Sequence, residues 1–184
     1  PGGARVLFVA APELPMVDVR VVFDAGSARD GERQGLALLT NALLTEGAGP
    51  WTADEIAERM DSIGASLSTS SLRDMATVSL RTLTEPKALD VAADTLAAVL
   101  ARPRFDPQDV DRVRNAQLVS LREQEQSAGT VASKAFYRAL YGSHPYASDP
   151  GGTAESVAAL GADDFRRFHG RYYTARNAVV AIVG

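Results

Sequence analysis

Cysteine is absent from the 184 residues. Its absence excludes disulfides, thiolate nucleophiles and cysteine-ligated zinc, but fixes no compartment, since many exported proteins also lack it. Histidine occurs twice, as His144 and His169, so a histidine-rich metal centre has little to draw on. No apolar run approaches the roughly 18 residues of a membrane span, and no signal-peptide pattern opens the chain. No Lys/Arg cluster stands out and the net charge is -4, so nucleic acid is not an expected partner. There is no internal repeat or low-complexity tract, and Gly151-Gly152 is too weak a signal for phosphate binding.

Hydrophobic residues make up 46% and charged residues 23% of the chain, the balance of an ordinary globular protein able to bury one good-sized core. The chain begins at Pro1 without a methionine and stops at Gly184, directly after the strand-like run Ala178–Val183. Both ends look cut, so residues 1–184 are expected to form one domain of a longer protein.

Periodicity organises the rest. Arg5–Ala10 is a short β-branched run, followed by a loop punctuated by Pro12 and Pro15. Val17–Phe23 alternates around Asp18 and Arg20, as a half-buried strand does, and the two runs can pair as neighbours. After the turn-forming stretch from Gly26, with Asp30-Gly31 as its clearest breaker, Gly35–Glu46 (GLALLTNALLTE) reads as an amphipathic helix. Leu36, Leu39 and Leu43 form its core stripe; Gln34, Leu38, Asn41, Ala42 and Thr45 form a second, mixed face. Thr52-Ala53-Asp54-Glu55 is a capping box opening a helix to about Ile63, with Ile56, Met60 and Ile63 buried.

Ala65–Ser71 and Met75–Leu83 read as antiparallel strands, and Leu89–Leu100 as a helix. Asp106 as N-cap with Pro107 at N1 opens a helix to about Gln126, burying Val110, Val113, Leu118 and Leu121. Further helices follow at about Val131–Leu140, Thr153–Leu160 and Asp163–Tyr172, then the strand Ala178–Val183. Strands and helices are segregated more than alternating. The expected class is α+β, an antiparallel or mixed sheet with helices packed on one face.

Several stretches, taken in order, resemble the pitrilysin/insulinase/mitochondrial processing peptidase family of zinc metallopeptidases. They are Asp24–Ala48 (DAGSARDGERQGLALLTNALLTEGA), Thr52–Leu83, His144-Pro145-Tyr146 with Gly152-Thr153, and Phe165–Gly184 with Tyr172-Tyr173 and Asn177. Active members carry H-x-x-E-H on the helix matched by Gly35–Glu46. Two histidines one turn apart hold zinc, and the glutamate between them is general base to the metal-bound water. The resemblance puts Leu38 and Ala42 at the histidine positions, Asn41 at the glutamate, and Ser120 at the third ligand, a glutamate on a later helix.

Leu38 and Ala42 have no donor atom, and the neutral amide of Asn41 cannot take a proton from water at useful pH. No catalytic residue, zinc or other cofactor is therefore expected. Many members of the family work in pairs, one half with the metal and one without. The resemblance implies a non-catalytic first domain that pairs with a homologous zinc-bearing subunit and helps enclose peptide substrate, with a similar domain after Gly184. The alternative is a purely structural subunit resembling the respiratory-complex core proteins. In catalytic relatives the strand matched by Ala65, Ser66, Leu67, Ser68, Thr69 and Ser70 is a sheet edge that receives substrate by strand addition; an ordinary exposed edge reads equally well.

Other constellations are bland. His144 before Pro145 reads as a turn residue and His169 as a rim residue, not a metal pair. Glu123, Glu125 and Glu155 read as solvated charges. Ser66, Ser68, Thr69, Ser70 and Ser71 lack a G-x-S-x-G elbow or a matching histidine.

Overall fold

A computed structural model describes residues 2–184. Alternation along β2 (Met16–Phe23) and β6 (Ala76–Leu83) divides the sheet into two faces. The antiparallel register sets Val19 opposite Leu80, Val21 opposite Val78 and Phe23 opposite Ala76. These pairs form the face that meets the core. On the other face Asp18 lies opposite Arg81 and Arg20 opposite Ser79, joined by polar contacts of 2.7 Å and 3.2 Å between their side chains. One face is dry and the other wet, as expected for an antiparallel sheet layered with helices on one side.

The sheet has five strands in the order β1-β7-β2-β6-β5, with β1 at Arg5–Val9, β5 at Ser66–Ser71 and β7 at Ala178–Val183. The expected pairing of the first two runs does not occur. β7 lies between them, parallel to β1 and antiparallel to β2. Its six residues AVVAIV are all apolar, the composition of a strand flanked on both sides, whereas β1 is exposed throughout and takes the edge.

The helices are α1 (Leu36–Leu43), α2 (Ala53–Asp61), α3 (Pro86–Ala101), α4 (Pro107–Glu125), α5 (Ala128–Tyr141), α6 (Ala154–Ala158) and α7 (Ala162–Tyr172). A two-residue ladder, β3 (Gly47–Ala48) with β4 (Trp51–Thr52), fills the turn between α1 and α2. The α2 capping box forms as expected: Thr52 Oγ1 accepts from Glu55 N while Glu55 Oε2 accepts from Thr52 N. One helix cap and one helix start differ from expectation. Asp106 precedes Pro107 but makes no capping bond, because Arg104 Nε takes its carboxylate at 2.7 Å. α3 starts earlier, at Pro86, because the Glu85 carboxylate accepts from Lys87 N and Ala88 N.

The core gathers Leu36, Leu39 and Leu43 of α1 with Val110 and Leu121 of α4 and Phe165 and Phe168 of α7, all against the dry face of the sheet.

Candidate functional site

The candidate site is the mixed face of α1. Helix α1 is eight residues long, shorter than the twelve of Gly35–Glu46, and its start is held from three directions. Asp30 is buried and accepts from Gly35 N at 2.9 Å and Ala37 N at 2.8 Å, doing the work of a capping side chain that Gly35 lacks. Gly35 itself has φ 92°, a left-handed conformation that glycine takes without strain. Above it passes the loop that follows α5. Ser156 Oγ donates to Gln34 O at 2.8 Å, and a Cβ at Gly152, whose φ is +78°, would lie 2.5 Å from that same carbonyl oxygen. The sequence marks Asp30-Gly31 only as a breaker and the glycine pair only as a loop; their joint role as a clamp on α1 becomes visible in three dimensions.

Leu38, Asn41 and Ala42 share one face of α1, being spaced by three and four residues. Leu38 and Ala42 are half-buried. Asn41 is 2% exposed, and its amide is committed: Nδ2 donates to Thr77 O at 3.4 Å and Tyr173 Oη at 3.3 Å. Tyr173 is buried between the rings of Phe23 and His169, at centroid distances of 4.7 Å and 5.1 Å. Burial raises its phenolic pKa well above the usual tyrosine value, so the hydroxyl stays neutral. Ser120 lies half-buried on α4, which packs against α1. Its Oγ accepts from Gln124 Nε2 at 3.2 Å, one turn along the same helix.

The two histidines have separate structural partners. His144 Nδ1 accepts from Tyr146 N at 3.2 Å and caps the short turn Pro145–Ala147. His169 sits deeper than a rim residue. Its Nε2 lies 2.9 Å from Leu100 O, its ring packs against Phe105 and Tyr173, and burial lowers its pKa. It is therefore neutral at pH 7, with Nε2–H donating to the carbonyl. Glu123, Glu125 and Glu155 are exposed. Among the described residues, no group of three His, Cys, Asp or Glu side chains is placed to hold a common metal ion.

Strand β5 closes the sheet on the side away from β1, so its outer edge carries no partner strand. Its side chains alternate, with Ser66, Ser68 and Ser70 exposed and Leu67, Thr69 and Ser71 half-buried. Ala65 lies just before the strand and is half-buried.

Residues 5–153 match the family model described as Insulinase (Peptidase family M16). The chain belongs to this family. An M16 inactive domain from Pseudomonas fluorescens, solved as a crystal structure, is 40% identical with a TM-score of 0.97 over 99% of this chain and 44% of that one. An uncharacterised zinc protease of Mycobacterium leprae is 29% identical over 100% of this chain and 41% of its own length. Pitrilysin is 26% identical with a TM-score of 0.82, over 98% of this chain and 20% of that one. The chain thus spans less than half the length of these M16 relatives. Its α+β architecture is that of the M16 domain.

The family name implies zinc, which needs imidazole, carboxylate or thiolate donors. The mixed face of α1 does not fit it. Leu38 and Ala42 are hydrocarbon there, and Asn41 between them is an amide tied to a buried phenol.

Proposed function

We propose that this chain is a non-catalytic M16 domain, that Leu38, Asn41, Ala42 and Ser120 stand at vacated ligand and base positions, and that it acts by pairing with a homologous zinc-bearing subunit. In that pair it closes a chamber around peptide substrate and offers the β5 edge, from Ala65 to Ser70, as a surface for strand addition. It would be the first domain of a longer chain, with a similar domain following.

The observation that carries the reading is the Asn41–Tyr173 contact. Where hydrolysis would need an ionisable carboxylate facing a metal-bound water, there is a neutral amide turned inward onto a buried hydroxyl. The likeness to a domain described as inactive supports it. So does the surface: helix α5 buries no side chain, and Phe136 and Leu140, one turn apart, stand exposed on the same side of it. An exposed apolar face of this kind suits association.

The pairing is tested by titrating the purified protein into a zinc-bearing M16 homologue from the same organism and measuring peptide hydrolysis. The expected result is a saturable rise in kcat/KM at a defined stoichiometry. A complex that forms without any rise would favour the purely structural role, and absence of a complex would overturn the pairing.

A further inference from the structure

Between α2 and the free edge of β5 runs a groove of about 520 Å³. Ile56, Met60 and Leu67 form its apolar floor, and α2 lines its outer wall with Asp54, Ala57 and Asp61. Those three positions are spaced i, i+3, i+7 and so lie along one side of the helix. Asp54 and Asp61 are exposed, and among the described residues neither forms an ion pair, whereas Glu46 at the same groove is held by Arg112. No lysine or arginine lines the groove. Glu58, also exposed on α2, adds to the same sign of charge. The one basic residue of α2, Arg59, is turned away, lying 3.8 Å over the Trp51 ring and donating to Thr95 Oγ1.

A strand added to β5 would direct every second side chain to the helix side, over this groove, at intervals of roughly 6.6 Å. Asp54 and Asp61 are separated by about 10 Å along the helix axis, a span covered by two neighbouring positions of that kind carrying long side chains. The aliphatic stems of lysine or arginine would lie on Ala57 and Leu67 with their charged ends at the carboxylates. On the other face the strand would meet only Ser66, Ser68 and Ser70, too small to select for size.

We infer that this groove selects extended peptides carrying lysine or arginine at alternate positions, the charge of α2 adding sequence preference to the sequence-blind backbone pairing of the edge. The inference rests on reading β5 as the peptide-binding edge. Capped octapeptides of alternating Lys-Thr, Gln-Thr and Glu-Thr are titrated into the protein at low ionic strength, with hydrogen exchange of the β5 amides followed in parallel.

The Lys-Thr peptide should bind on the order of tenfold more tightly than Gln-Thr and slow exchange along Ser66–Ser71. The preference should largely vanish in Asp54→Asn/Asp61→Asn and in high salt. Equal affinities for the Lys-Thr and Gln-Thr peptides, with β5 still protected, would overturn the charge selection and leave the edge reading intact. A lysine preference unchanged in the double variant would also overturn it. No protection of β5 by any peptide would overturn this inference and the edge reading together.

Discussion

Asn41 is the residue on which the proposed lack of catalysis rests most directly. A buried amide that donates to Tyr173 Oη and Thr77 O stabilises the packing of α1 on the sheet, and its removal takes a buried donor from both. Asn41→Ala is expected to destabilise the fold by about 1–3 kcal/mol, read from chemical denaturation, and to leave peptide hydrolysis by the isolated protein at background. Asp30 gives a second single-residue expectation. Burial pushes its carboxyl up to about 7 against an ordinary value near 3.8, despite the two backbone N–H groups it accepts from. The folded state therefore holds a proton that the unfolded chain releases. The stability this contributes is fully present below about pH 4 and is lost as pH rises towards and through 7. An NMR titration of the Asp30 carboxyl carbon should show a midpoint near 7. A midpoint near 4 would contradict the desolvation argument.

Neither role is legible along the chain. Asparagine on a mixed helix face looks unremarkable until the ring that meets it, 132 residues away, is in place. Asp30 looks like a turn-former because its capping bonds reach forward to Gly35 and Ala37, beyond the usual Asx-turn spacing.

At the scale of elements, periodicity located every long helix and each principal strand, because amphipathic stripes such as Leu36/Leu39/Leu43 and the alternation of Val17–Phe23 report burial directly. Two kinds of miss stand out. Local competition altered helix starts: α4 begins at Pro107 as expected but Arg104 takes the Asp106 carboxylate from its cap, and Glu85, an uncommon N-cap, starts α3 early. Non-local pairing decided strand order, and no feature of Arg5–Ala10 says that its neighbour is the last strand.

The clamp on α1 makes a paired prediction. Gly152 has φ +78° and no room for a Cβ beside Gln34 O, whereas Gly129 in the first turn of α5 has no neighbouring atom within 4 Å. Gly152→Ala should lower stability by about 1–3 kcal/mol. Gly129→Ala should raise it by roughly 0.4–1 kcal/mol through reduced unfolded-state freedom. Thermal melts of the two variants side by side check this; a harmless Gly152→Ala would show that the loop does not hold the start of the helix.

At the scale of the whole molecule, the fold is an M16 domain whose sheet has an exposed apolar edge strand, β1, at one side and a small, polar edge strand, β5, at the other. Long, unpaired edges are rarely left open in a free-standing protein, which fits the proposed pairing with a homologous subunit. The family resemblance was legible in sequence because it runs through most of the chain, from Asp24–Ala48 to Phe165–Gly184. Its meaning depends on three side chains of α1 and one of α4, which composition alone would assign to an ordinary core helix and its neighbour.

The central claim is that these residues hold no zinc and perform no hydrolysis. The most direct test is zinc stoichiometry by elemental analysis of the purified protein, combined with peptide hydrolysis before and after chelator. The account predicts substoichiometric zinc and no chelator-sensitive activity. One zinc per chain, with hydrolysis abolished by chelator and restored by added metal, would contradict it.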